Sequence, residues 1–117
     1  MGDLTTHILD TASGRPAAGV AVRIYAVEDE ARRLLAETHT NADGRCDGPL
    51  LSGDAFRAGK YRIEFDIADY YRTLGADLPN PAFIDVAVIE FGVSDPGQKH
   101  HIPLLAAPYG YTTYRGS

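Results

Sequence analysis

Lys60-Tyr61-Arg62-Ile63-Glu64-Phe65-Asp66-Ile67 alternates charged and apolar side chains without a break. That two-residue period belongs to a β-strand with one face in a core and the other in water. Immediately after it, Asp66 is placed to cap a short helix through Tyr70, Tyr71 and Leu74, and Gly75 is placed to end it. Leu78-Pro79-Asn80-Pro81 then reads as a loop.

Strand signals recur on both sides of this segment. Upstream, Thr5 to Asp10 reads as a strand, Ser13-Gly14-Arg15-Pro16 as a turn, and Val20, Val22 and Ile24 alternate with Ala21, Arg23 and Tyr25. Leu34 to Thr40 follows, closed by the turn Asn41-Ala42-Asp43-Gly44, with a short strand expected from Arg45. Downstream, Phe83 to Val93, His101 to Leu105 and Tyr109 to Tyr114 are rich in β-branched and aromatic residues. About eight short strands with hairpin-length breaks and one helix describe an antiparallel β-sandwich rather than βαβ units.

At 117 residues the chain is expected to form one domain, 1–117, with a single core. Its 44% hydrophobic and 23% charged content is ordinary for a globular protein. The net charge of -5 comes with no basic run, which argues against a nucleic-acid or anionic-membrane partner and for a small molecule. Cys46 is the only cysteine, so no intrachain disulfide exists and a reducing, cytoplasmic setting is expected. The first ten residues carry no secretory pattern, no stretch approaches a membrane span, and Met1-Gly2 with Thr6 matches a myristoylation pattern only by chance.

Strand alternation sorts the histidines. His100 travels with Ile102 and Leu104, His101 with Pro103 and Leu105, and the two cannot share a face. On the first strand His7 shares its face with Thr5 and Leu9, opposite the core candidate Ile8, and so points outward. Singly, each histidine, including His39, fits a surface or structural role. Arg45 fits a solvated residue after a turn or an anion clamp, and Tyr114-Arg115-Gly116-Ser117 fits a frayed tail. No cysteine or paired carboxylate completes a metal site around His100 and His101.

Leu4-Thr5-Thr6-His7-Ile8-Leu9-Asp10-Thr11-Ala12 followed by Gly14-Arg15-Pro16-Ala17 resembles the opening signature of the 5-hydroxyisourate hydrolases. Thr40 with Asp43-Gly44-Arg45-Cys46 is similar to their middle motif. His101-Ile102-Pro103-Leu104-Leu105 and Ala107-Pro108-Tyr109-Gly110-Tyr111-Thr112-Thr113-Tyr114-Arg115-Gly116-Ser117 resemble their C-terminal signature. The similarity spans essentially the whole chain and implies a transthyretin-type antiparallel β-sandwich.

The resemblance also implies an activity: hydrolysis of 5-hydroxyisourate to 2-oxo-4-hydroxy-4-carboxy-5-ureidoimidazoline in urate degradation, with no cofactor. The family's catalytic histidines fall on His7 and His101 and its arginine on Arg45. Ser117 joins the catalytic set, and Tyr114, Arg115 and Gly116 would line the substrate site. Where the family commonly has His-Tyr-His, this chain has Lys99-His100-His101, so any supporting role of the outer histidine is not carried over. The family assembles as a homotetramer, a dimer of dimers, with sites in a central channel. An exposed edge at Tyr111 to Tyr114 and an apolar face at His101, Pro103 and Leu105 fit such pairing. Transthyretin, the hormone-carrying relative of the same fold, lacks this histidine and arginine set and the Tyr-Arg-Gly-Ser end.

Overall fold

The expected alternation places the two faces of the sandwich. The structure, a computed structural model, describes residues 2–116. In chain order its elements are β1 (Asp3–Asp10), β2 (Arg15–Pro16), β3 (Ala21–Glu28), β4 (Ala31–His39), β5 (Leu51–Ser52), β6 (Gly59–Asp66), α1 (Ile67–Thr73), β7 (Val86–Val93), β8 (His100–Ala107) and β9 (Gly110–Thr113). One sheet runs β2-β1-β8-β9 with β5 also on β1, and the other runs β4-β3-β6-β7.

The core lies between the sheets. Leu4 and Ile8 of β1 and Ile102 and Leu104 of β8 are buried with Val22 and Ile24 of β3 and Ile63 and Phe65 of β6. Each large apolar side chain so buried contributes roughly 1.5–3 kcal/mol. The opposite face of β6 is the charged one expected. Arg23 of β3 grips Asp66 through both terminal nitrogens at 2.9 and 2.7 Å and Glu64 through Nε at 3.2 Å, and Arg62 adds a 2.9 Å bond to Glu64.

Three local expectations change. Asp66 makes no side-chain cap on α1, because its carboxylate is held by Arg23 in a bidentate ion pair stronger than a single capping bond. The strand expected from Arg45 is reduced to one bridge with His7, the chain turning away before β5. The strand expected from Phe83 starts at Val86, leaving Phe83 exposed and stacked on Tyr109 at 6.1 Å. Nine strands are present among the described residues, two of them only two residues long.

One pairing departs from the antiparallel pattern. β1 and β8 run parallel, with Thr5 opposite His101 and His7 opposite Pro103. A parallel neighbour requires a long crossover, and here the chain between the two strands builds the whole second sheet. Among the described residues no helix is long and apolar enough to cross a membrane.

The short helix is tied to this central pair. A helix of seven residues is marginal alone. Tyr70 and Tyr71 donate to the buried carboxylate of Asp10 at the end of β1, at 3.0 and 2.7 Å, and Tyr71 also reaches the carbonyl oxygen of Ala106 on β8 at 3.0 Å. Ser13 Oγ and the Ala12 amide complete the carboxylate's shell. Burial pushes the Asp10 carboxyl up, but the hydrogen bonds from Tyr71, Ser13, Tyr70 and Ala12 outweigh it and hold it below the ordinary value.

Candidate active site

The parallel β1–β8 register lays Thr5, His7, His101 and Leu105 on one outward face, while Leu4, Ile8, Ile102 and Leu104 point inward. His100 falls on the inward side. It is buried, bonded through Nδ1 to the Gln98 carbonyl at 2.9 Å and set edge-on to Phe56 at 5.4 Å. His39 ends β4 in the other sheet, away from this face.

Arg45 reaches the face from the far side of β1. Asn41 organises the turn: its side-chain oxygen accepts from the amides of Asp43 at 2.9 Å and Arg45 at 3.2 Å, while its own amide donates to the Arg45 carbonyl at 2.7 Å. Gly44 then presses against β1, its carbonyl accepting from the Ile8 amide at 2.8 Å. Its φ is +73°, and a Cβ there would overlap the carbonyl oxygen of Ile8. Only glycine brings this turn close enough for Arg45 to bridge His7.

A cleft of about 400 Å³ opens on the face, lined by Asp3, Thr5, Arg45, Cys46, Lys99 and His101 among others. His7 stands beside Arg45 on the same face, two residues along β1 from Thr5. Burial holds the His101 imidazole below its ordinary value, and the charges of Arg45, His7 and Lys99 push the same way. Its surroundings therefore favour the neutral imidazole. The Cys46 thiol is pushed up by burial and by Asp47, so it is not a thiolate nucleophile at neutral pH. Another cavity of about 400 Å³, beside the β3–β4 hairpin and lined by Arg33, Arg57 and Lys60, contains no histidine.

The tail turns back onto β8. Gly116 forms a bridge with His101, its amide donating to the His101 carbonyl at 2.7 Å. Arg115 bonds the Gln98 side chain at 3.2 Å and the Lys99 carbonyl at 3.1 Å, and Tyr114 is exposed. These contacts bring Gly116 against His101, but Tyr114, Arg115 and Gly116 are all outside the cleft lining, as is His7. Ser117, expected in the catalytic set, lies outside the described residues.

Sequence reasoning assigned only Arg45 and His101 of the cleft lining to the site and gave no role there to Thr5, Lys99 or Asp3. Thr5 bonds His101 Nδ1 through Oγ1 at 2.8 Å, Lys99 adds positive charge, and Asp3 carries a buried oxygen, Oδ1, with no hydrogen-bond partner among the described residues. The strand period pointed to Thr5 as a neighbour of His7 but contained nothing of its contact across 96 residues.

Fold and cleft together define a transthyretin-type sandwich with a histidine and arginine site on the outer face of one sheet. Residues 4–116 match the HIUase/Transthyretin family, and the chain belongs to it. It is 51% identical to 5-hydroxyisourate hydrolase 2 of Rhizobium meliloti, over 99% of this chain and 97% of that one. Among solved structures, 5-hydroxyisourate hydrolase of Klebsiella pneumoniae superposes with a TM-score of 0.81 at 33% identity, over all of both chains. Sea bream transthyretin in complex with thyroxine gives 0.87 at 30% identity, over 97% of this chain and 94% of that one. An (S)-allantoin synthase gives 0.93 at 36% identity over 99% of this chain, which spans only 44% of that protein.

Proposed function

We propose that this protein hydrolyses 5-hydroxyisourate to 2-oxo-4-hydroxy-4-carboxy-5-ureidoimidazoline in urate degradation. The observation that carries the reading is the placement of His101, whose burial favours the neutral imidazole, with His7 and Arg45 on one open face. The full-length similarity to a protein of that activity supports it independently.

His7 and His101 form the proton-transfer pair. One imidazole takes a proton from water as the water oxygen attacks a ring carbonyl. Arg45 holds the substrate and stabilises the oxyanion through its planar fork of donors. The carbon–nitrogen bond then breaks, the leaving nitrogen takes the proton from the imidazolium, and the attacked carbon becomes a carboxylic acid that releases its remaining proton to solvent at neutral pH. Assistance of this kind is worth about 10²–10⁴-fold. The tail supplies the wall beside His101 through Gly116, with Arg115 holding it against the start of β8 and Ser117 assigned to position an imidazole.

The chain further assembles as a homotetramer, a dimer of dimers, that closes the open cleft into a channel. In its support, β9 is a sheet edge, and Tyr109, Tyr111 and Tyr114 around it are exposed. The direct test of function is a spectrophotometric assay with freshly made 5-hydroxyisourate at neutral pH. Loss of substrate faster than the spontaneous rate is expected; no acceleration would reject the hydrolase reading in favour of a carrier.

A further inference from the structure

The imidazole of His101 is held on both flanks. On one, Nδ1 lies 2.8 Å from Thr5 Oγ1 on the neighbouring strand. On the other, Gly116 packs so closely against Cδ2 that a Cβ there would sit 2.8 Å from it. Nδ1 and Cδ2 are the two ring atoms next to the attachment point, so the free edge is Cε1 and Nε2. With Nδ1 engaged, Nε2 is the nitrogen left for water or substrate.

We propose that Thr5 is a positioning residue that fixes the His101 tautomer: Nδ1–H donates to the Thr5 hydroxyl, and Nε2 meets the cleft as an unprotonated base. The proposal rests on the hydrolase reading for its kinetic consequence but not for the tautomer itself. A threonine hydroxyl accepts as well as donates. When it accepts from Nδ1–H, its own proton is free to turn to the cleft that Thr5 lines. Arg45 and Lys99 line the same cleft and offer only donors, against the single carboxylate of Asp3, so a cleft-facing nitrogen is best complemented as an acceptor.

The arrangement also suits proton transfer. When Nε2 takes the proton of water, the resulting imidazolium keeps its Nδ1–H bond to Thr5 unchanged, and no group need rotate at that moment. The opposite tautomer has no lone pair on the exposed nitrogen and accepts no proton there. Thr5 therefore does for His101 what an orienting acceptor does for any base histidine: it selects the tautomer and fixes the ring plane.

The test uses the full chain labelled with ¹⁵N at histidine, above the pH at which His101 titrates, alongside Thr5→Val and Thr5→Ser. Valine keeps the β-branched shape without the hydroxyl; serine keeps the hydroxyl. In the wild type the Nδ1 signal of His101 should be of the protonated type and Nε2 of the unprotonated type. Thr5→Val should shift His101 towards the other tautomer and lower kcat about 10-fold or more with little change in KM, while Thr5→Ser retains both signatures. A wild-type His101 protonated on Nε2, or a tautomer unchanged in Thr5→Val, overturns the proposal. Because the tautomer is read without substrate, failure of the hydrolase reading leaves this result separately decided.

Discussion

Gly116 has no side chain, yet its Cα defines one wall of the His101 position. Gly116→Ala would bring a methyl group within 2.8 Å of Cδ2 and 3.3 Å of the His101 carbonyl oxygen, so either ring or tail must move. Turnover is expected to fall about 10-fold or more with little change in melting temperature, because positioning suffers while the core is untouched. Unchanged kinetics would mean that the tail gives way freely. The state of His101 leads to a pH prediction. Its pKa is lowered by burial and then by Arg45, His7 and Lys99, so the base form persists as pH falls past the ordinary histidine value of 6.5. The acid limb of kcat/KM is expected below 6.5. An acid limb at or above 6.5 contradicts the assignment. At this scale alternation along β8 was enough to put His100 inward and His101 outward. The partner of His101 was not legible, because a contact between Thr5 and His101 depends on which strands pair, and no local period encodes that.

The elements around the site are held by features that sequence conveyed unequally. Asn41-Ala42-Asp43-Gly44 read correctly as a turn, but its close seating on β1 appears only when the Ile8 carbonyl is seen beneath Gly44. Arg45→Lys should damage both binding and rate, since an ammonium lacks the planar fork that holds an oxyanion. Wild-type kinetics in that variant would reduce Arg45 to a solvated residue. The helix shows the opposite case. Its position and end were legible from Tyr70, Tyr71 and Gly75, but its attachment was not, because Asp66 was drawn off by Arg23 and the working carboxylate, Asp10, sits on another element. Tyr71→Phe removes one donor to that charge and should cost about 1.5–3 kcal/mol in urea unfolding. With its carboxyl held below 3.8, Asp10 is protonated first in the unfolded chain, so its contribution is present above 3.8 and is lost as pH falls through the folded value. The loss of stability on acidification should accordingly be shallower in Tyr71→Phe; an equal loss would assign acid sensitivity to other carboxylates.

At the scale of the whole molecule, the two-sheet sandwich was legible because period-2 patterning and turn residues are local. The parallel seam of β1 and β8 was not, since it is set by the route of the chain through the other sheet. That seam nevertheless creates the site: antiparallel pairing in another register would separate Thr5 and His7 from His101. The proposed homotetramer would cover the exposed β9 edge and its tyrosines, and a solution mass of four chains by light scattering is the expected result. A monomer at working concentration with full activity would show that the cleft needs no second copy. The central claim is that chemistry occurs on the outward face of the β1–β8 seam, and a paired kinetic comparison tests it most directly. His101→Asn and His100→Asn are adjacent and chemically identical changes on opposite faces. The measurement is kcat/KM for 5-hydroxyisourate at pH 7, with assembly size checked for both. The expected result is a loss of about 10²-fold or more for His101→Asn and a far smaller change for His100→Asn; equal losses, or the larger loss at His100, would contradict the account.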